Sequence, residues 1–406
     1  MDGVFCPAAA PPPWEPLPLL LTAGLQQLVL HLEQDLATPL DDVLAPLTRL
    51  TALNMACGYE FLSSYASVPV PTSLARLTGL RDLYLWGFSQ TSEHELRSCL
   101  SPLTQLTALT ARIVVSAGCG LPELPSLQSL HVEQVVEGGL ALLAASCPAL
   151  VSLTSSRSVS ANAEDAAARL PALTSLVGHG SLELSGAEFS LAGCAPALKS
   201  LRVLYGRSTA GPAALIDKLT GLSELCFYPA EGVQPVTMGA RDWQALAALP
   251  ALQCFCGSVE LEEGGNTAAC VSVCAQLRQL QLVLGGTQAP QLRCCLKLVA
   301  AMHSSRVRLL SIAFGPTAGV AQPELPTPLF EHLATWPRLS EVHLGCPCTP
   351  EQLSVLCASP TVTFVQLSWR GSKDDGRRLA HTARKLMSAQ RTKQLQISIQ
   401  GLTVWP

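Results

Sequence analysis

The segments LTRLTALNM (Leu47–Met55), LTGLRDLYL (Leu77–Leu85) and LPALTSLVG (Leu170–Gly178) share one register, with apolar residues at every third position and then at every second. Aligned on L-x-x-L-x-L, the unit recurs with its first position at Leu25, Leu50, Leu80, Leu106, Leu127, Leu150, Leu173, Leu198, Leu222, Leu252, Leu277, Val307, Leu339, Val362 and, degenerate, Gln394. That makes about fifteen units at spacings of roughly 21 to 32 residues, the range in which supersecondary units stack into solenoids. Three residues ahead of the first position there is usually another apolar residue, as at Leu47, Leu77, Leu103, Leu170, Leu219, Leu249 and Trp336; Cys147 and Cys274 fill that place in two units.

The two spacings have different causes. Alternation at Leu83 and Leu85 places both side chains on one face of a short strand. The period-three lead-in predicts a turn that carries the chain into that strand. One such unit cannot bury its leucines alone, whereas stacked neighbours bury them as a continuous spine, with the strands parallel and joined by right-handed crossovers. The returns read as helices in several units. TPEQLSVLCASP (Thr349–Pro360) opens with Thr349 as N-cap, Pro350 in the first turn and Gln352 placed to reach back, and it stops before a second proline. ARDWQALAALP (Ala240–Pro250) and SEHELRSCL (Ser92–Leu100) read the same way. The glycine- and proline-rich stretches Pro229–Gly239 and Gly315–Pro328 read as loops inside long units.

The fragments LAASCPALVSL (Leu143–Leu153) and LAGCAPALKSL (Leu191–Leu201) resemble the leucine-rich-repeat superfamily, in its ribonuclease-inhibitor-like form and in the repeat region of F-box/leucine-rich-repeat proteins. The resemblance spans Leu25 to Gly401. It implies an α/β solenoid curved into a horseshoe, with short parallel strands on the concave face and helices and irregular turns on the convex one. One position departs from the pattern. Where the superfamily places Asn or Cys to bond the turn leaving each strand, this chain has Gly58, Phe88, Val114, Val135, Ser158, Ser181 and Gly206. With asparagine only at 54, 162 and 266, no asparagine ladder can form, and irregular turns are expected. The domain reading is a Pro/Ala-rich, poorly ordered lead-in over 1–24, then a single solenoid over 25–406 that ends in a basic helix and a terminal strand.

Composition narrows the function classes. A net charge of −4 lacks the basic field of a general nucleic-acid binder. The first basic residue is Arg49, so the opening residues have neither the charged start of a signal peptide nor the arginines of a transit peptide. No run of about 20 apolar residues suggests a membrane span. The sixteen cysteines include no CxxC and no zinc-like paired spacing, and they read as small core residues kept reduced in the cytoplasm or nucleus. No phosphate-binding glycine loop, nucleophile elbow or HExxH helix occurs, so no enzyme activity, cofactor or metal is expected.

Function should therefore lie on the open face of the strands, at positions three, five and seven of each unit. Most of these residues are small or neutral, such as Ala52, Ala56, Ser152 and Thr154. One neighbourhood is different: Asp82, Tyr84 and Trp86 in the third unit, Arg112 in the fourth, and His131 and Glu133 in the fifth. Trp, Tyr and Arg dominate binding energetics at interfaces. The same residues could instead brace their own sheet, with Arg112 stacked on Trp86 and paired with Glu133. Arg202, Glu224 and Tyr228 form a second cluster. From Arg370 to Lys393, eight basic residues face two acidic ones, a net +6, on a helix whose apolar stripe is Leu379, Ala383, Leu386 and Met387; its outer side is either a solvated cap or an anionic docking site. The expected function is a non-catalytic scaffold or recognition module for a protein or peptide. The alternative, which rests on the resemblance alone, is the substrate-recognition subunit of an F-box-type ubiquitin ligase, although no F-box-like segment is seen ahead of the repeats.

Overall fold

The structure, a computed structural model, describes residues 24–32, 40–57, 70–86, 88, 93–119, 121–184, 190–205, 216, 218–229, 236–238, 240–261, 272–273, 276–284, 299, 306–314, 325–368, 373–389 and 395–400. The chain divides into two compact units, Met1–Leu198 and Lys199–Pro406.

In the first unit, strands β1 (Gln27–Leu32), β2 (Ala52–Cys57), β3 (Asp82–Trp86), β4 (Ala108–Ala111), β5 (Val114–Val115), β6 (Ser129–Val132), β7 (Gln134–Val135), β8 (Ser152–Ser155), β9 (Val159–Ala161) and β10 (Ser175–Leu184) alternate with helices α1 (Leu40–Leu44), α2 (Glu93–Leu100), α3 (Gly139–Ser146) and α4 (Leu191–Cys194). The pairing is parallel, in the order β1, β2, β3, β4, β6, β8, β10. Its register sets Leu28, Leu53, Leu83, Leu109, Leu130, Leu153 and Leu176 side by side, all of them buried. This is the spine that the period-two alternation calls for.

The period-three lead-in is a hydrogen-bonded turn. The amides of Leu50, Leu80, Leu106, Leu150 and Leu173 donate to the carbonyls of Leu47, Leu77, Leu103, Cys147 and Leu170, at 2.9–3.1 Å. A second repeated device ties each unit to the next. The carbonyl of Gln26 accepts from both Thr51 and Ala52, that of Thr51 from Arg81 and Asp82, and that of Arg81 from Thr107 and Ala108. Threonine side chains reinforce this edge, with Thr51 and Thr107 hydroxyls donating to the carbonyls of Gln26 and Arg81 at 3.0 Å. The entry edge of the sheet is thus tied by backbone and threonine hydrogen bonds.

The turns leaving the strands differ from expectation. Instead of being irregular, four of them form a second parallel ladder, β5–β7–β9–β10, in which Val115 pairs with Val135, Val135 with Val159, and Val159 with Leu182. The β-branched residues at the asparagine positions favour strand over turn. Ser155, fully buried, sets its hydroxyl 3.2 Å from the carbonyls of both Glu133 and Ser158, a side-chain bond to the turn of the kind the missing asparagine would make.

Asp165 is another fully buried polar group. It lies in a 3-10 turn, Ala163–Ala167, closed by a capping box with Asn162. Its carboxylate accepts from the amides of Gly138 and Ala141 at 2.9 Å and of Asn162 at 3.2 Å. The first two belong to the amino-terminal end of α3, which has no side-chain cap of its own. Each repeat's helix end is left with orphan amides, and here the following repeat supplies the anion. Gly138 makes the approach possible: its φ is 76°, and a Cβ there would lie 2.7 Å from the Ala117 Cβ.

The second unit contains β11 (Ser200–Tyr205), β12 (Glu224–Pro229), β13 (Val236–Met238), α5 (Ala240–Ala247), β14 (Cys254–Leu261), β15 (Gln279–Leu284), β16 (Leu309–Phe314), α6 (Thr327–Ala334), β17 (Glu341–Gly345), α7 (Pro350–Ala358), β18 (Phe364–Ser368), α8 (Lys373–Ala389) and β19 (Gln396–Gln400). The sheet is again parallel, and its spine runs Leu201, Leu225, Phe255, Leu280, Leu310, Val342, Val365, Ile397. Larger rings thicken the core, with Trp243 of α5 packed on Phe255 at a centroid distance of 5.9 Å.

All three expected helices form. The α7 box is present as read: the Thr349 amide donates to Gln352 Oε1 at 2.9 Å, and the Gln352 amide to Thr349 Oγ1 at 3.3 Å. One loop assignment is corrected. Within Pro229–Gly239, Val236–Met238 is a strand paired with Val259–Leu261, because β14 is long enough to offer it a free edge and Val236 and Thr237 suit it. The stretch read as a loop over Gly315–Pro328 lies largely outside the described residues, and its end, Thr327–Pro328, opens α6. In α8, Leu379 and Ala383 are buried, Leu386 and Met387 half-buried, and Arg377, Arg378, Arg384 and Lys385 exposed, as the stripe requires. No helix among the described residues is long and apolar enough to cross a membrane.

Candidate partner-binding face

On the outward side of β3, Asp82 is exposed and Tyr84 and Trp86 are half-buried. Strand alternation explains this: the buried Leu83 and Leu85 force the intervening residues outward. The register gives Tyr84 the neighbours Asn54 and Thr110, and gives Trp86 the neighbour Ala56, so both rings stand above smaller side chains. Tyr84 and Trp86 stack at 6.3 Å between centroids, and Trp86 meets the His131 ring at 5.9 Å. The expected stacking of Arg112 on Trp86 does not form among the described residues. Arg112 is drawn to Glu133 instead.

Glu133 is 8% exposed and anchors two arginines. Arg112 Nε lies 3.1 Å from Glu133 Oε2, and an Arg157 terminal nitrogen 2.9 Å from Oε1. A carboxylate this buried requires such pairing, so the triad braces three successive repeats while the guanidinium groups stay partly open, Arg112 at 40% and Arg157 at 61%. Arg157 is missed by a reading confined to positions three, five and seven, because it sits in the turn at position eight. The useful signal is Glu133 at position seven, an acid whose burial calls for more than one cation.

His131 completes the patch, its Nε2 lying 2.8 Å from the Ser156 hydroxyl. Burial first, and then the nearby His179, holds the imidazole below its ordinary pKa. The unfolded chain protonates near pH 6.5 and the folded chain only below that. Above 6.5 both states are neutral; as pH falls through that value toward the folded pKa, only the unfolded state gains the proton and stability is lost. Melting temperature should therefore drop between pH 7.5 and 5.5, and drop less in His131→Gln. Equal slopes in the two proteins would show that His131 does not contribute.

The second cluster lies in the other unit. Arg202 and Glu224 form an ion pair across β11 and β12, with Arg202 Nε 2.9 Å from Glu224 Oε1, and the Ser200 hydroxyl donates to Glu224 Oε2 at 2.8 Å. The Tyr228 side chain lies outside the described residues. Among the described residues no group of His, Cys, Asp or Glu is placed to hold a metal ion.

The thiols divide by burial. Cys147 is fully buried in its lead-in position, and burial pushes its pKa up to about 12. Cys194 is raised to about 11 by burial and then by Asp165, against Arg169. Cys274 lies outside the described residues. Thiolate is the reactive form, so Cys147 and Cys194 should resist alkylation at pH 7.5 until the chain is unfolded. Mass-mapped labelling checks this, and rapid modification of either residue in the native protein would contradict it.

Compared with known proteins, the chain matches no protein-family model and no curated relative.

Proposed function

We propose that the chain is a leucine-rich-repeat solenoid that serves as a non-catalytic recognition module, binding a protein or peptide on the open strand face around Asp82, Tyr84, Trp86 and Arg112. The observation that carries this reading is the stack of two large, outward, half-buried rings, Tyr84 on Trp86, beside the smaller side chains Asn54, Ala56 and Thr110. Such anchors bring contact area at low entropic cost, and interface energy concentrates on them. The bracing contacts to His131 and Glu133 support the same reading, since a preorganised anchor loses less freedom on binding.

Affinity capture from native lysate with two baits tests the proposal. The wild-type chain should retain a stoichiometric partner, and a Tyr84→Ala, Trp86→Ala double variant should lose it while keeping the wild-type circular-dichroism spectrum. Equal recovery of the partner by both baits would place the binding surface elsewhere. If ubiquitin-ligase subunits are among the proteins lost, the recognition module is the substrate-binding subunit of a ligase.

A further inference from the structure

At the entry edge of the second unit's strands, a cavity of about 190 Å³ is lined by Arg278, Arg306, Arg308 and Arg338, together with Gln253 and Gln276. The repeat itself assembles this cluster. Arg278 and Arg308 occupy position two of successive repeats, and the Arg308 amide donates to the Arg278 carbonyl at 2.7 Å, which fixes the two side chains next to each other. Arg306 and Arg338 stand immediately before the first positions Val307 and Leu339, on the same edge. All four residues are exposed, and among the described residues no carboxylate lines the cavity and none of the four forms an ion pair.

Like charges on adjacent strands repel and reduce stability, so four arginines with no carboxylate between them among the described residues favour an anionic ligand. The guanidinium fork matches phosphate oxygens in pairs. A phosphate group carries about −1.5 to −2 charges near pH 7, so two of them offset most of the charge of four arginines. Taking about 30 Å³ per water, the cavity holds about six waters, which is room for a compact double phosphate but not for a folded segment. Gln253 and Gln276 add neutral donors at the rim.

We propose that this arginine pocket binds a small ligand bearing two adjacent phosphate groups. The site is separate from the aromatic face, which belongs to the other compact unit.

Calorimetric titration of the full chain with inorganic pyrophosphate at low ionic strength tests this. Saturable one-to-one binding is expected, at least about tenfold tighter than for inorganic phosphate, together with a rise in melting temperature. Arg278→Gln combined with Arg308→Gln should weaken it by at least about tenfold and abolish that rise. Should this pair unfold the chain, Arg306→Gln with Arg338→Gln removes the same charge from outside the strand ladder and should give the same loss. ADP in place of pyrophosphate identifies the source: equal or tighter binding points to a nucleotide, and pyrophosphate binding without ADP binding points to the free diphosphate. Absence of saturable pyrophosphate binding, or binding that survives both paired substitutions in folded protein, would overturn the proposal.

Discussion

Asp165→Ala should destabilise the first compact unit by about 2–4 kcal/mol, the scale of a lost helix cap together with a buried amide left without its acceptor. The substitution removes the acceptor from three amides, that of Gly138, which is buried, and those of Ala141 and Asn162, which are half-buried. It also removes the anion from the amino-terminal end of α3, where the helix dipole favours negative charge. Asp165→Asn keeps the shape and one strong acceptor, so it should recover a large part of the loss. Urea unfolding of both variants checks the ordering. Equal stability of Asp165→Ala and wild type would mean that the carboxylate does not cap α3.

Leu83→Ala should cost about 2–5 kcal/mol, the range for opening a cavity where a buried leucine stood. Leu83 is 2% exposed and lies in register between Leu53 and Leu109, so the lost side chain leaves both neighbours facing a void. The parallel ladder on either side restrains the backbone from collapsing into it. A loss below about 1 kcal/mol in the same urea series would mean that the spine is plastic at this repeat.

The sheet is readable from the chain because its signal is redundant. A one-residue slip would expose every leucine of a strand, so position four of each repeat fixes the pairing of Leu28 through Leu176 and of Leu201 through Ile397. Helices with strong local chemistry, such as the Thr349–Gln352 box, are readable for the same reason. Features that depend on one repeat reaching another repeat's backbone are not. The Asp165 carboxylate contacts amides 24 and 27 positions earlier, although the Asn162–Asp165 spacing of a capping box was there to be noticed. The second ladder at Val115, Val135 and Val159 is hidden because the missing asparagines point to irregularity, whereas valine offers another ordered solution. At the candidate face, strand alternation places Tyr84 and Trp86 outward, but which of His131 and Arg112 meets the indole depends on how strongly the buried Glu133 attracts the arginine. The arginine pocket escapes a reading of outward positions because position two faces the strand edge.

Once the captured partner is purified, affinity and melting temperature measured on the same Trp86→Ala protein decide whether the aromatic patch recognises or merely braces. Recognition requires a loss of more than about 2 kcal/mol of binding free energy, roughly a 25- to 30-fold weaker Kd, with little change in melting temperature, because the indole lies on the outward side of β3. Unchanged affinity with a lowered melting temperature would contradict it and leave Trp86, with its His131 contact, as a brace of its own sheet.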